Sequence, residues 1–221
     1  MIQKPTLDFL TALKKNNNRD WFEKNKEKYL AAKKNVEEFT DELIKHISSF
    51  DKKIAGLTHK DCVFRIYRDV RFSKDKSPYK TNMGASISAG GKKTMAAGYY
   101  VHIDPVESFI AGGMWMPPSD QLKKIRQEID YNGKKFHKIL DDKDFKKQFK
   151  KLDDSEEYKL ARPPKGYDKD HPDIELLKFN SYIVWHSYKN KEVLSKNFPR
   201  ELAKGAKTMK PLIDFLNEAI S

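Results

Sequence analysis

Between Phe64 and Asn82 the chain reads Phe-Arg-Ile-Tyr-Arg-Asp-Val-Arg-Phe-Ser-Lys-Asp-Lys-Ser-Pro-Tyr-Lys-Thr-Asn. Arginine occurs at seven positions (19, 65, 68, 71, 126, 162 and 200) among 44 basic residues, yet three of the seven fall between Arg65 and Arg71. Lysine is the default cation of this chain, and arginine is concentrated in one place. A guanidinium fork grips a carboxylate or phosphate with two parallel bonds, or stacks on a ring, where an ammonium group acts as a point charge. Arg65, Arg68, Arg71, Lys74, Lys76 and Lys80 are therefore candidates to bind a small anionic, phosphorylated ligand, with Tyr79 orienting it. Asp69, His102 and Tyr79 are the groups that could move a proton if that ligand is a substrate. The residues leave open whether the protein is an enzyme.

Two other readings fit the same segment. Asp61, Asp69 and Asp75 lie among the cations. Internal ion pairs would then consume the arginines, and the loop would only brace the fold or serve a partner protein. Alternatively, Phe64, Tyr67, Phe72 and Tyr79 interleave with the basic residues, as in modules that stack single-stranded bases. No named nucleic-acid motif accompanies them, and the lysines are dispersed along the chain.

Other chemistry is less well supported. The six histidines at 46, 59, 102, 137, 171 and 186 show neither His-x-His nor His-x-x-x-His spacing. With one cysteine, Cys62, they do not outline a zinc site, and no disulfide can form within the chain. There is no Gly-x-Ser-x-Gly elbow, no Walker loop and no Gly-x-Gly-x-x-Gly turn. No cofactor is implied. Gly112-Gly113 reads as a bulge or a close backbone approach rather than a phosphate loop.

The elements that must position these groups are read from periodicity. Hydrophobic residues make up 38% of the 221 and charged residues 34%, with 12% aromatic, which suffices for a core. The formal net charge of +12 favours anionic partners, and is equally the mark of a lysine-rich composition. Apolar runs are far shorter than the ~20 residues of a membrane span, and no long apolar leader opens the sequence. The expectation is a cytoplasmic protein with no membrane partner, forming one domain over residues 1–221. Oligomeric state is not legible.

Thr6 is placed to cap a short helix carrying Leu7, Leu10 and Leu13. Asp20 and Glu23 form a capping-box pattern before a helix running from Trp21 to about Ser49. Strands are expected at Cys62–Tyr67, Met83–Ala89, Tyr99–Ile103, Ser108–Trp115 and Tyr182–Tyr188. A helix begins near Ser119 and stops at Tyr131-Asn132-Gly133. Residues 161–167 form a loop. A C-terminal helix carries Leu202, Ala206, Met209, Ile213, Leu216 and Ile220, with a kink at Pro211. The whole is α+β: an antiparallel sheet of about five strands flanked by N-terminal and C-terminal helices. Gly84, Ser86 and Ser88, joined by Tyr100, His102 and Gly112, would give the sheet a small polar face beside the Arg segment.

The words at Phe9–Phe22 and Phe64–Asn82, with Gly98–Ile103, Gly112–Trp115 and Arg162–Tyr167, resemble a family of conserved uncharacterised bacterial and fungal proteins (domain of unknown function 2461 type). The resemblance runs in order over nearly the whole chain. It implies one intact domain and supplies no catalytic residues.

Overall fold

The computed structural model describes residues 1–221, of which 50% are helical and 14% strand. Strands β1 (Met83–Ile87), β2 (Gly98–Ile103), β3 (Ser108–Met114) and β4 (Tyr182–Tyr188) are hydrogen-bonded in chain order as one antiparallel sheet. Alternation is clean in β2, where Tyr99, Val101 and Ile103 are buried while Tyr100 and His102 stay half-exposed. The β2–β3 turn is closed by Asp104, whose carboxylate accepts from the Val106 amide at 2.7 Å, and by Ser108, which bonds both backbone groups of Asp104.

The chain divides into two compact units. The first comprises Met1–Thr94, Tyr100–Ile110 and Ser187–Lys204. It opens with α1 (Lys4–Lys15), α2 (Arg19–Lys24) and α3 (Lys26–Ser48). Leu7, Leu10 and Leu13 of α1 pack toward α3, which buries Val36, Phe39, Leu43 and Ile47 at three- and four-residue steps. Gln3, not Thr6, is the N-cap of α1. Thr6 is buried, and its hydroxyl donates to Asn35 Oδ1 at 2.8 Å. The long helix expected from Trp21 is interrupted at Asn25 (φ −113°, ψ 19°), whose side-chain amide donates to the Trp21 carbonyl at 2.9 Å. Asparagine competes for backbone groups in this way, so it ends one helix and starts the next. The cap of α2 is Asn18, which accepts from the Trp21 amide, rather than Asp20.

A one-turn helix, α4 (His59–Cys62), occupies the start of the expected first strand. The rest of the expected strand makes only two isolated antiparallel bridges, Val63–Ala85 and Tyr67–Tyr79. Residues 64–66 lie between the bridges on one side and residues 80–84 on the other. That two-residue mismatch forbids a continuous ladder, so the sheet has four strands rather than five.

The second unit comprises Met95–Tyr99, Ala111–His186 and Gly205–Ser221. It contains α5 (Ser119–Leu140), α6 (Lys143–Phe149), α7 (Ile174–Leu177) and most of the final helix. A short α8 (Asn190–Val193) precedes that helix, α9 (Phe198–Ile220), which runs through Pro211. Phe136 meets Phe215 at 4.7 Å and Tyr182 at 6.0 Å between ring centroids, with Ile125 and Ile129 buried beside them. The stop expected at Asn132-Gly133 is instead a distortion within α5 at Asn132. Gly133 is required there because a Cβ would lie 2.2 Å from the Asp173 carboxylate. No helix is long and apolar enough to cross a membrane.

Candidate functional site

The basic segment lies in the first unit and doubles back on itself as a hairpin. Arg68 N bonds the Pro78 carbonyl at 3.0 Å, and Lys80 N bonds the Ile66 carbonyl at 2.7 Å. Tyr79 anchors it. Its ring is 4% exposed and stacked on Phe22 at 3.9 Å between centroids, 11° from parallel, within a cluster that includes Phe9, Tyr29 and Tyr67. Burial raises the Tyr79 phenol above its usual range. Tyr79 therefore braces the hairpin.

At the tip the cations are satisfied locally. Asp69 takes Arg71 in a two-bond fork, Nε at 2.9 Å and Nη2 at 2.6 Å. Arg68 donates to Asp75 at 2.5 Å and to the Ser77 carbonyl at 3.1 Å. Asp75 also accepts the Ser77 amide and hydroxyl, and these bonds with Arg68 lower its carboxyl to about 2. Lys76 donates to the Val70 carbonyl at 3.0 Å. Lys74 is exposed. Phe72 stands 97% exposed at the tip, with Arg71 over its ring. Asp69, fully engaged by Arg71, is not paired with His102; the carboxylates that act on His102 are Asp104 and Glu107.

Nearer the sheet the situation reverses. Arg65 is exposed and makes no hydrogen bond or ion pair within the chain. Lys80 is half-buried, and its ammonium meets only the face of Phe64, 5.2 Å from the centroid. Burial first, and then the neighbouring Arg65 charge, lower the Lys80 ammonium below its usual range. The side chains of Thr81 and Asn82, both half-buried, likewise make no internal hydrogen bond. All four residues lie where the two bridges fall out of register, and bulges of this kind re-aim side chains.

Phe64 is 36% exposed and touches Tyr100 of β2, 6.4 Å between centroids. Tyr100 sits over Gly84, where a Cβ would come within 2.6 Å of the phenol oxygen. Burial pushes the Tyr100 phenol up to about 12, and its hydroxyl is hydrogen-bonded with His102 Nδ1 at 3.1 Å. His102 stacks on Phe109 of β3, 4.6 Å apart and 8° from parallel, and burial lowers its pKa from 6.5. Gly84, Tyr100 and His102 thus share the expected polar face. Gly112 does not join them: it is buried against Met209, whose Sδ a Cβ would approach to 2.4 Å. Ser88 also leaves the face, buried and bonded into the Gly90-Gly91 turn.

Cys62 is buried, and burial raises its thiol to about 11, so it is an unreactive core residue. His186 Nδ1 contacts the Gln148 carbonyl. No three His, Cys, Asp or Glu side chains converge in a way that could hold a metal ion.

The residues that sequence reasoning passed over are Phe64 as a cation partner, Phe109 and Asn82. Their placement depends on a register break that periodicity does not reveal. The chain matches the family model described as conserved hypothetical protein, DUF2461, over residues 5–215. No curated protein and no solved structure matches it.

Proposed function

We propose that this chain, which belongs to the conserved hypothetical protein family DUF2461, binds a small anionic, phosphorylated ligand through Arg65 and Lys80 at the base of the hairpin. The observation that carries this reading is the sorting of the cations. Arg68 and Arg71 are ion-paired to internal carboxylates, whereas Arg65 and Lys80 stand close enough to repel and neither hydrogen-bonds nor ion-pairs with one; Asp69, which Arg71 occupies, acts on Arg65 only at longer range. Two cations side by side, neither with an ion pair of its own, cost energy that an arriving anion recovers.

The Arg65 fork suits two oxygens of a phosphate, and Lys80 supplies a second charge from the other strand of the hairpin. Thr81 and Asn82 offer further hydrogen-bonding groups, and Phe64 with Tyr100 lines one side with ring surface. Arg68, Arg71 and Lys76 are bonded within the tip, away from the proposed contacts.

The test is calorimetric titration with inorganic phosphate, pyrophosphate and a panel of sugar phosphates and nucleotides. Replacing Arg65 by Gln should weaken the tightest binder about tenfold or more, the usual cost of losing a charged hydrogen-bonding partner. Arg71→Gln should leave it unchanged. Equal effects of the two substitutions would refute the assignment. A salt dependence spanning many phosphates, with binding to single-stranded nucleic acid but not to small phosphates, would favour the nucleic-acid reading.

A further inference from the structure

The geometry points to Lys80 as an imine-forming amine, so that the phosphorylated ligand of this site is an aldehyde or ketone. The inference rests on the anion-site reading above and deepens it. Among the 44 basic residues most lysines are exposed, and many are tied to a carboxylate. Lys80 is neither. It is half-buried, its ammonium lies over the Phe64 ring at 5.2 Å, and no carboxylate or carbonyl of the chain accepts from it. An amine that is half-buried, without an acceptor and set beside a second cation is the arrangement that frees a lysine lone pair for attack on carbon, against the pull of the Phe64 ring face toward the ammonium form. The downward shift of Lys80, caused by burial and by Arg65, has the matching direction.

Arg65 gives the chemistry its direction. A phosphate seated on its fork would tether a carbonyl group a few bonds away near Lys80 Nζ, converting an encounter between two molecules into one within a complex. Lys80 first releases its ammonium proton to solvent. The free amine attacks the carbonyl carbon, forming a C–N bond as the C=O π electrons move to oxygen. The resulting carbinolamine is protonated on oxygen and loses water, leaving C=N. No electrons are gained or lost. The imine, once protonated, restores the positive charge beside the phosphate. Lys74 and Lys76 lack this setting, since the first is exposed and the second donates to the Val70 carbonyl.

Pyridoxal 5′-phosphate, a phosphorylated aldehyde, is a suitable probe, with borohydride to reduce any imine to a stable amine and peptide mass spectrometry to locate it. At limiting probe, Lys80 should be labelled about tenfold more than the average lysine, as expected for an activated amine. Excess inorganic phosphate and the Arg65→Gln substitution should both suppress that labelling, and pyridoxal lacking the phosphate should label Lys80 poorly. Lys80→Arg keeps a cation in place. It should retain the melting temperature while losing the selective label. Labelling spread over lysines according to exposure, with phosphate binding intact by calorimetry, would overturn the amine assignment alone. Selective labelling of Lys80 by pyridoxal and its phosphate alike, unaffected by inorganic phosphate, would overturn the coupling to an anion site. No phosphate binding and no selective label would overturn both.

Discussion

Asn17 holds both backbone polar groups of Tyr79, a residue 62 positions away. Its Oδ1 accepts from the Tyr79 amide at 3.1 Å, and its side-chain nitrogen donates to the Tyr79 carbonyl at 2.8 Å. One asparagine thus does what a neighbouring strand would do, on the residue that immediately precedes Lys80. Asn17→Ala leaves two part-buried backbone groups without partners and should destabilise the protein by about 1–3 kcal/mol. Asn17→Asp keeps the acceptor and loses the donor, and should fall between. Urea unfolding midpoints give the order. An alanine variant with the wild-type midpoint would show that the hairpin is held by the Tyr79–Phe22 stack alone.

The tip is expected to respond differently. Arg71 and Asp69 form an exposed pair, and pairs of that kind contribute little to stability because solvent screens them. Arg71→Ala should leave the unfolding midpoint and the phosphate affinity unchanged within error. Arg68 also bonds the Ser77 carbonyl, closing the hairpin across nine residues. Arg68→Ala should therefore raise amide exchange through 69–77 without unfolding the core. Hydrogen-exchange mass spectrometry separates the two variants. Uniform protection in Arg68→Ala would count against its bracing role.

These contrasts show where the sequence was and was not sufficient. The α+β class, the strands at 83–87, 98–103, 108–114 and 182–188, and the C-terminal helix follow from apolar spacing, because burial imposes period 2 or 3.6 directly. The concentration of arginines singled out one segment. It could not rank them. Arg65, Arg68 and Arg71 look alike on paper, and only loop geometry decides that Asp75 bonds Arg68, Asp69 bonds Arg71, and no carboxylate bonds Arg65. Tyr79 is recognisable as a hydroxyl donor by type, yet stacking on Phe22 across the fold makes it a brace. The break between the Val63–Ala85 and Tyr67–Tyr79 bridges, beside which Arg65 and Lys80 stand, is set by which residues the helices fix in place. Local pattern carries no trace of it.

His102 gives the protein a pH dependence with a definite sign. Burial lowers its pKa from 6.5, so below that value the unfolded chain binds more protons than the folded one. Stability then rises with pH through this window and is lost as pH falls from 6.5 toward the lowered value. The melting temperature should drop between about pH 7.5 and about pH 5.5, across the range where histidine titrates. His102→Asn should show a smaller drop over the same range. Comparing the two proteins cancels the contributions of the other five histidines, which stay in place in both. A variant with an equal or steeper drop would contradict the assignment.

Three glycines rank by what surrounds them. At Gly113 φ is +119°, and a Cβ would stand 2.0 Å from the Tyr182 carbonyl oxygen, an atom of the adjacent strand that cannot rotate away. Gly113→Ala must separate β3 from β4, and should cost about 3 kcal/mol or more, combining backbone strain with overpacking. At Gly84 the obstacle is the Tyr100 hydroxyl at 2.6 Å, the far end of a side chain. Gly84→Ala should cost about 1–3 kcal/mol. Because it displaces Tyr100 from His102, it should also reduce the pH-dependent loss of stability. Gly56 has φ +88° and nothing within 4 Å of where a methyl group would stand, so only backbone strain of about 1–2 kcal/mol applies to Gly56→Ala. Denaturant unfolding of the three variants should give the order Gly113, Gly84, Gly56. Gly84→Ala with wild-type stability and an unchanged pH profile would mean that Tyr100 can leave β1 freely, and that the face it forms with His102 is not the fixed wall of a binding site.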